Sequence, residues 1–342
     1  MNLEPRILNL RNFLLPLLLI SAFILDLSLG SISIPLTEIF NILTGGEPSN
    51  PIWRDIIWDF RMTKALTCTL AGSALALSGL QMQTLFRNAL AGPDVLGLSS
   101  GASLAVSLVF MGNAAGITLF NAPSAWIVAI AASSGCAVVF LIMLAISTRL
   151  RDHASLLIIG IMIGAGTASL VQVLQYLSRA EELQTYLIWT FGSMGSLNWT
   201  EIAVLALVLL AGAIPAMRTA KALNAWLLGD NYARSIGTHL QVSRFWIIFS
   251  TCILTGAVTA FCGPISFVGL AVPHLVKLLI PETNHRILIP AVMTGGATLM
   301  LLCDIIAQAP GTAQVLPINA VTALIGAPVV IWVILRHSRI FQ

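Results

Sequence analysis

Apolar residues in this chain come in long unbroken runs, not in strict alternation or in narrow helical stripes. Ten runs stand out, at roughly 12–29, 65–85, 95–111, 124–146, 154–175, 199–217, 242–262, 265–280, 287–303 and 318–335. A helix needs about 20 predominantly apolar residues to cross the hydrocarbon of a bilayer. Lipid supplies no hydrogen-bond partner for a bare backbone, so runs of this kind must be helical; a membrane barrel would alternate instead. The expected fold class is all-α, a polytopic membrane protein with about ten transmembrane helices. The eighth run is short and contains Pro273, and Gly263-Pro264 is the only break between it and the seventh.

The basic residues orient these spans, because Lys and Arg concentrate on the cytoplasmic side. With the N-terminus inside, thirteen of the 17 fall in the cytoplasm. Arg54, Arg61, Lys64 and Arg179 fall outside. The expectation is an even number of spans with both termini cytoplasmic. The first run follows Arg6 and Arg11 and has no closely following small-x-small cleavage site, so it reads as a retained span and not as a signal peptide. Residues 51–64 and 181–199 mix tryptophan with charge and read as interfacial structure on the outer side. The connection at about 218–241 is polar enough for short helices on the cytoplasmic surface.

Composition narrows the function. Of the 342 residues, 57% are hydrophobic and 9% charged, against about 25% charged in an average soluble domain. Five isolated cysteines suggest buried small apolar residues, with no disulfide framework or metal site. No basic stripe points to nucleic acid. No GxxxxGK[ST] is present to cradle a nucleotide phosphate, and no HExxH or GxSxG suggests an enzyme. The histidines lie near the expected cytoplasmic ends, so no bound cofactor is expected. Acids within the spans are limited to Asp26 and Asp304 near span ends, whereas ion-coupled pumps need ionisable relays at depth. If the chain transports, its energy should come from a partner.

Four stretches carry a family resemblance. They are RMTKALTCTLAGSALALSGLQMQTLFRNALAGPDVLGLSSG at 61–101, GSMGSLNW at 192–199, LNAWLLGDNYARSIG at 223–237, and GPISFVGLAVPHLVKL at 263–278 continuing to LPINAVTALIGAP at 316–328. Together, over about 10–336, they resemble the FecCD-type permeases of bacterial ABC importers for iron–siderophores, haem and cobalamin. The resemblance implies one transmembrane permease domain over 1–342 in the inner membrane. It also implies a second permease copy (identical or paralogous), two ATPase subunits below, and an extracytoplasmic substrate-binding protein above.

By the same resemblance, Arg61 and Lys64 match the basic docking positions for the binding protein, with Thr63 in place of the usual proline. Gln308 stands where relatives carry a third docking arginine, and Val315 and Asn319 also depart from the family pattern. The stretch 223–237 matches the segment that couples to the ATPase, with Leu227, Leu228, Gly229, Ala233 and Gly237 as its compact surface and Asp230 as its acid. Asn88 and Leu90 match a cytoplasmic gate. Read from the residues alone, Arg61 and Lys64 also suit ordinary interfacial snorkelling, 223–237 a membrane-surface helix, and 87–93 a plain tight turn. The implied activity is import of a bulky metal chelate, foremost an iron–siderophore, with haem or cobalamin as alternatives. An ion-coupled secondary transporter is the reading from a different class.

Overall fold

The computed structural model describes residues 4–30, 32–112, 116, 124–149, 153–308 and 315–338. Arg151 and Arg339 of the basic tally lie outside the described residues, as do the side chains of Arg6, Arg11, Arg149, Asp230 and Arg336. Among the described residues the chain is all-helical. In chain order it forms α1 Glu4–Ser28, α2 Leu36–Leu43, α3 Pro51–Asp55, a π-helical stretch Ile56–Met62, α4 Thr63–Phe86, a 3-10 turn Pro93–Leu96, α5 Leu98–Met111, α6 Ala125–Arg149 and α7 His153–Leu177. There follow α8 Ala180–Thr190, α9 Trp199–Arg218, α10 Ala220–Leu227, α11 Asp230–Ser235, α12 Leu240–Cys262, α13 Val268–Leu279, α14 His285–Ala307 and α15 Ile318–Ser338.

Every one of the ten apolar runs is helical. Six helices are long and apolar enough to cross a membrane: Pro51–Phe86, Ala125–Ser147, Ser155–Leu177, Trp199–Arg218, Leu240–Cys262 and His285–Ala307. Four shorter apolar helices, Phe13–Ser28, Leu98–Met111, Val268–Leu279 and Ile318–Val333, make up the rest. The third run starts late because Gly97, at φ +75°, turns the chain out of the 3-10 segment before α5. The break after α12 is real: Gly263 and Phe267 both take positive φ before α13 begins. Residues 51–64 are not a separate interfacial element. They run through the π stretch directly into α4, giving one continuous helix from Pro51 to Phe86. The short α2 was not foreseen; its Ile39 and Ile42 pack with Ile34 and Ile57 of the π stretch in a small satellite cluster.

α4 is the centre of the bundle. From Ala71 to Phe86 every residue is buried, against α14, α12, α13 and α9. Glycine lets this happen. Gly72 faces the backbone of Gly296 on α14, and Gly79 faces that of Gly269 on α13, with no side chain between. Small residues at such crossings let helices in lipid approach closely. A Cβ added at Gly79 would overlap the Gly269 carbonyl. Gly79→Ala should therefore destabilise the protein by about 1–3 kcal/mol, visible as a lower melting temperature in detergent. An unchanged melting curve would show that the crossing relaxes freely.

One buried hydroxyl in the core links three helices. Ser250 on α12 donates to Gln81 Oε1 of α4 at 3.0 Å and lies 2.7 Å from the Gly212 carbonyl of α9. α7 is the least covered of the long helices, with Leu170, Val173, Tyr176 and Leu177 all exposed.

Candidate functional site

At one end of the bundle, α4 stops where Arg87 takes a left-handed C-cap conformation, φ +46°. The next residues turn sharply: the Asn88 side-chain oxygen accepts from the Leu90 N–H at 2.9 Å. Two side chains hold this loop and the last turns of α4 to α13. His274 Nε2 lies 2.8 Å from the Ala89 carbonyl and donates to it. Gln83 donates to the Leu270 carbonyl at 3.0 Å. Beside the loop lies a cavity of about 620 Å³, whose walls include Thr84, Arg87, Asn88, Leu227, Lys277 and Trp332. Asn88 thus lines the cavity, while Leu90 is exposed on the loop beside it.

Leu227 brings the 218–241 connection to the same cavity. α10 is amphipathic: Leu223 and Trp226 are buried, whereas Leu227 and Leu228 are exposed. Gly229 (φ +108°) and Gly237 (φ +80°) bracket α11, whose backbone starts at Asp230. Tyr232 and Ile236 are also exposed, so four large apolar side chains within ten residues face outward. Ala233 lies under this surface, fully buried. The side chain of Asp230 is outside those described.

A hydrogen-bonded chain that sequence reasoning missed ties this segment to the loop. Asn224 of α10 donates to Asn284 Oδ1 at 3.0 Å. Its own Oδ1 accepts from the His285 backbone N–H at 2.9 Å and faces His285 Nδ1 at 2.7 Å. An amide oxygen only accepts, so Nδ1 carries the proton, and Nε2 lies 2.9 Å from the Thr84 hydroxyl, which also donates to the Leu80 carbonyl at 2.9 Å. Thr84 is three residues before Arg87. A continuous polar path therefore runs from α10 through the start of α14 to the last turn of α4. The available signal was weak: Asn224 is a lone amide in the apolar stretch LNAWLL, and His285 sits at the edge of a long apolar run.

The three expected docking residues lie at the opposite end of the bundle. Arg61 projects from the π stretch into the interior and is 9% exposed. It donates to the carbonyls of Leu27 at 2.7 Å and Ser28 at 3.0 Å, and also to that of Ile32. The first two are unsatisfied carbonyls of the last turn of α1, where a cation also meets the negative end of the helix dipole. Lys64 Nζ pairs with Asp304 Oδ2 at 3.0 Å. Gln308 bridges two acids, donating to Asp304 Oδ2 at 2.7 Å and to Asp26 Oδ1 at 3.1 Å. Lys64 and Gln308 thus belong to one partly buried cluster with Asp26 and Asp304, whereas Arg61 clamps α1. Asn319 also contributes internally, its side-chain oxygen accepting from the Ser266 N–H at 3.1 Å.

Residues 17–336 match the FecCD transport family. Over 345 residues the chain is 34% identical to the hemin transport system permease protein HmuU of Yersinia pestis, covering 98% of this chain and 97% of that relative. Over 298 residues it is 32% identical to the vitamin B12 import system permease protein BtuC of Escherichia coli O17:K52:H18 (strain UMN026 / ExPEC), covering 87% and 89%. Its fold matches that of a solved chain described as a metal-chelate type ABC transporter in an inward-facing conformation, with a TM-score of 0.81 and 28% identity over 95% of this chain and 97% of that one.

Proposed function

Since this chain belongs to the FecCD transport family, we propose that it is the permease subunit of an ATP-driven importer for a bulky metal chelate: an iron–siderophore foremost, or haem or cobalamin. It is a multi-pass protein of the bacterial inner membrane. In this reading 1–342 is one domain with ten spans, both termini cytoplasmic, and the cavity end facing the cytoplasm. A second permease copy, two ATPase subunits and an extracytoplasmic binding protein complete the machine. The permease itself performs no covalent chemistry.

The observation that carries the reading is the polar path from α10 to the loop at 87–92. The exposed apolar side chains Leu227, Leu228, Tyr232 and Ile236 offer an ATPase a docking surface. Displacement of α10 by that partner would reach the loop through Asn224, His285 and Thr84. Asn88 and Leu90 then act as the gate. Ligands of such a transporter shift populations between outward and inward access, so the coupling segment needs a rigid link to the gate. At the outer end, Lys64 and Gln308 are the rim groups for binding-protein docking. Arg61 contributes by fixing the backbone from which Lys64 projects.

The test is uptake into proteoliposomes containing the permease with its ATPase, supplied with binding protein and a panel of siderophore, haem and cobalamin chelates. ATP-dependent uptake of at least one chelate, abolished when the ATPase nucleotide site is disabled, is expected. Uptake driven by an ion gradient without any ATPase would overturn the proposal.

A further inference from the structure

α9 and α12 leave a long groove on a face of the bundle away from the site above. Its wider part is a cavity of about 750 Å³ closed on the third side by α6, with Phe140, Phe249 and Phe261 among its walls. Its narrower part, about 280 Å³, lies further along the same two helices and is bounded by Pro215, Arg218, Thr219, Val242, Ser243 and Trp246. The lining residues keep one antiparallel register throughout. Val204 and Phe261 mark one end, and Arg218 and Ser243 the other. Trp246 and Phe249, with ring centroids 5.7 Å apart, stand at the junction.

The two parts differ in chemistry. The wide part is walled almost wholly by aliphatic and aromatic carbon and is open toward the membrane at Ile130 and Leu141, both exposed. The narrow part holds a guanidinium and the hydroxyls of Thr219 and Ser243. It also lies at the first turn of α12, whose cap residue His239 supplies no side-chain cap; the free N–H groups there favour negative charge. From Phe261 to Ser243 is eighteen residues of helix, roughly 27 Å at 1.5 Å per residue. That covers the height of one leaflet of a bilayer about 40–45 Å thick.

We infer that this groove is a binding site for one anionic phospholipid of the leaflet on the side of the 218–241 connection, with an acyl chain in the wide cavity and the phosphate at Arg218 and Ser243. Charge complementarity selects the occupant. Arg218 is exposed, and a planar guanidinium engages phosphate oxygens bidentately. Trp246 sits where the apolar part meets the charged part, the level that tryptophan prefers at a bilayer interface. A protein partner would need to insert a continuous apolar ridge ending in an acid.

The test is native mass spectrometry of the full-length permease in detergent, titrated with dioleoyl phosphatidylglycerol or with dioleoyl phosphatidylcholine. Phosphatidylglycerol should be retained at least fivefold more strongly, as one tightly held copy per chain. Arg218→Gln should remove most of that preference. Lys221→Gln makes the same charge change three residues away, off the groove, and should leave the preference within twofold of wild type. Ala211→Trp, which fills the wide cavity from an exposed position, should reduce retention of both lipids at an unchanged melting temperature. Equal retention of the two lipids, or equal effects of Arg218→Gln and Lys221→Gln, would overturn the site in favour of a general charged annulus. So would a second copy of the chain occupying the groove and excluding lipid.

Discussion

Asn224→Ala should reduce ATP-driven uptake at least tenfold while the assembled complex continues to hydrolyse ATP at its basal rate. The side chain makes three hydrogen bonds at once, to Asn284, to the His285 backbone and to the His285 ring. Removing it leaves two buried His285 donors without a partner, at about 1–3 kcal/mol each. The effect on transport follows from position more than from energy. In the proposed coupling path His285 links α10 to Thr84, and Thr84 lies in the last turn of α4 beside the loop at 87–92. Asn224→Asp keeps the acceptor for His285 but loses the donor to Asn284, so it should recover part of the uptake. Hydrolysis and uptake falling together in both variants would remove Asn224 from the coupling path.

Arg61→Ala should cost about 3 kcal/mol of stability, since it exposes carbonyls in a buried setting to no donor at all. The measurement is thermal unfolding of the purified permease, with affinity for the binding protein read alongside. A direct docking residue would lose affinity at an unchanged melting temperature. The clamp geometry calls for the reverse order: melting falls first, and delivery suffers because the α1–α4 corner loosens. Arg61→Lys should not rescue it. A lysine is a single compact charge and cannot serve carbonyls of Leu27, Ser28 and Ile32 together.

These two residues also mark what could be read in the chain beforehand. The helical runs were legible because lipid leaves one solution for a long apolar segment, and each of the ten is a helix. The break at Gly263-Pro264 was legible for the same reason. α2 was not, since eight residues with two isoleucines facing a satellite cluster carry no periodic signal that stands out. Nor was the merging of 51–64 into α4: tryptophan and charge signal depth in the bilayer but do not signal where a helix begins. Arg61 looks like any arginine at a span end, and only the fold brings it to residues 27–32. Asn224, His285 and Thr84 are far apart in sequence and meet through three different helices. Leu227 and Asn88 match separate tasks in the sequence, and the cavity they share exists only because α10 packs against the end of α4.

The glycine crossings at 72/296 and 79/269 have a mechanical corollary. Where main chains touch directly, there is no layer of rotatable side chains at the crossing to take up sliding, so on the proposed transport reading α4, α13 and α14 would travel as a single block. Alternation between two openings would then fall to the short non-helical joints, 87–92 on one side and 263–267 on the other. The permease would behave less like a ring of independent staves than like a solid keel turning on two pins.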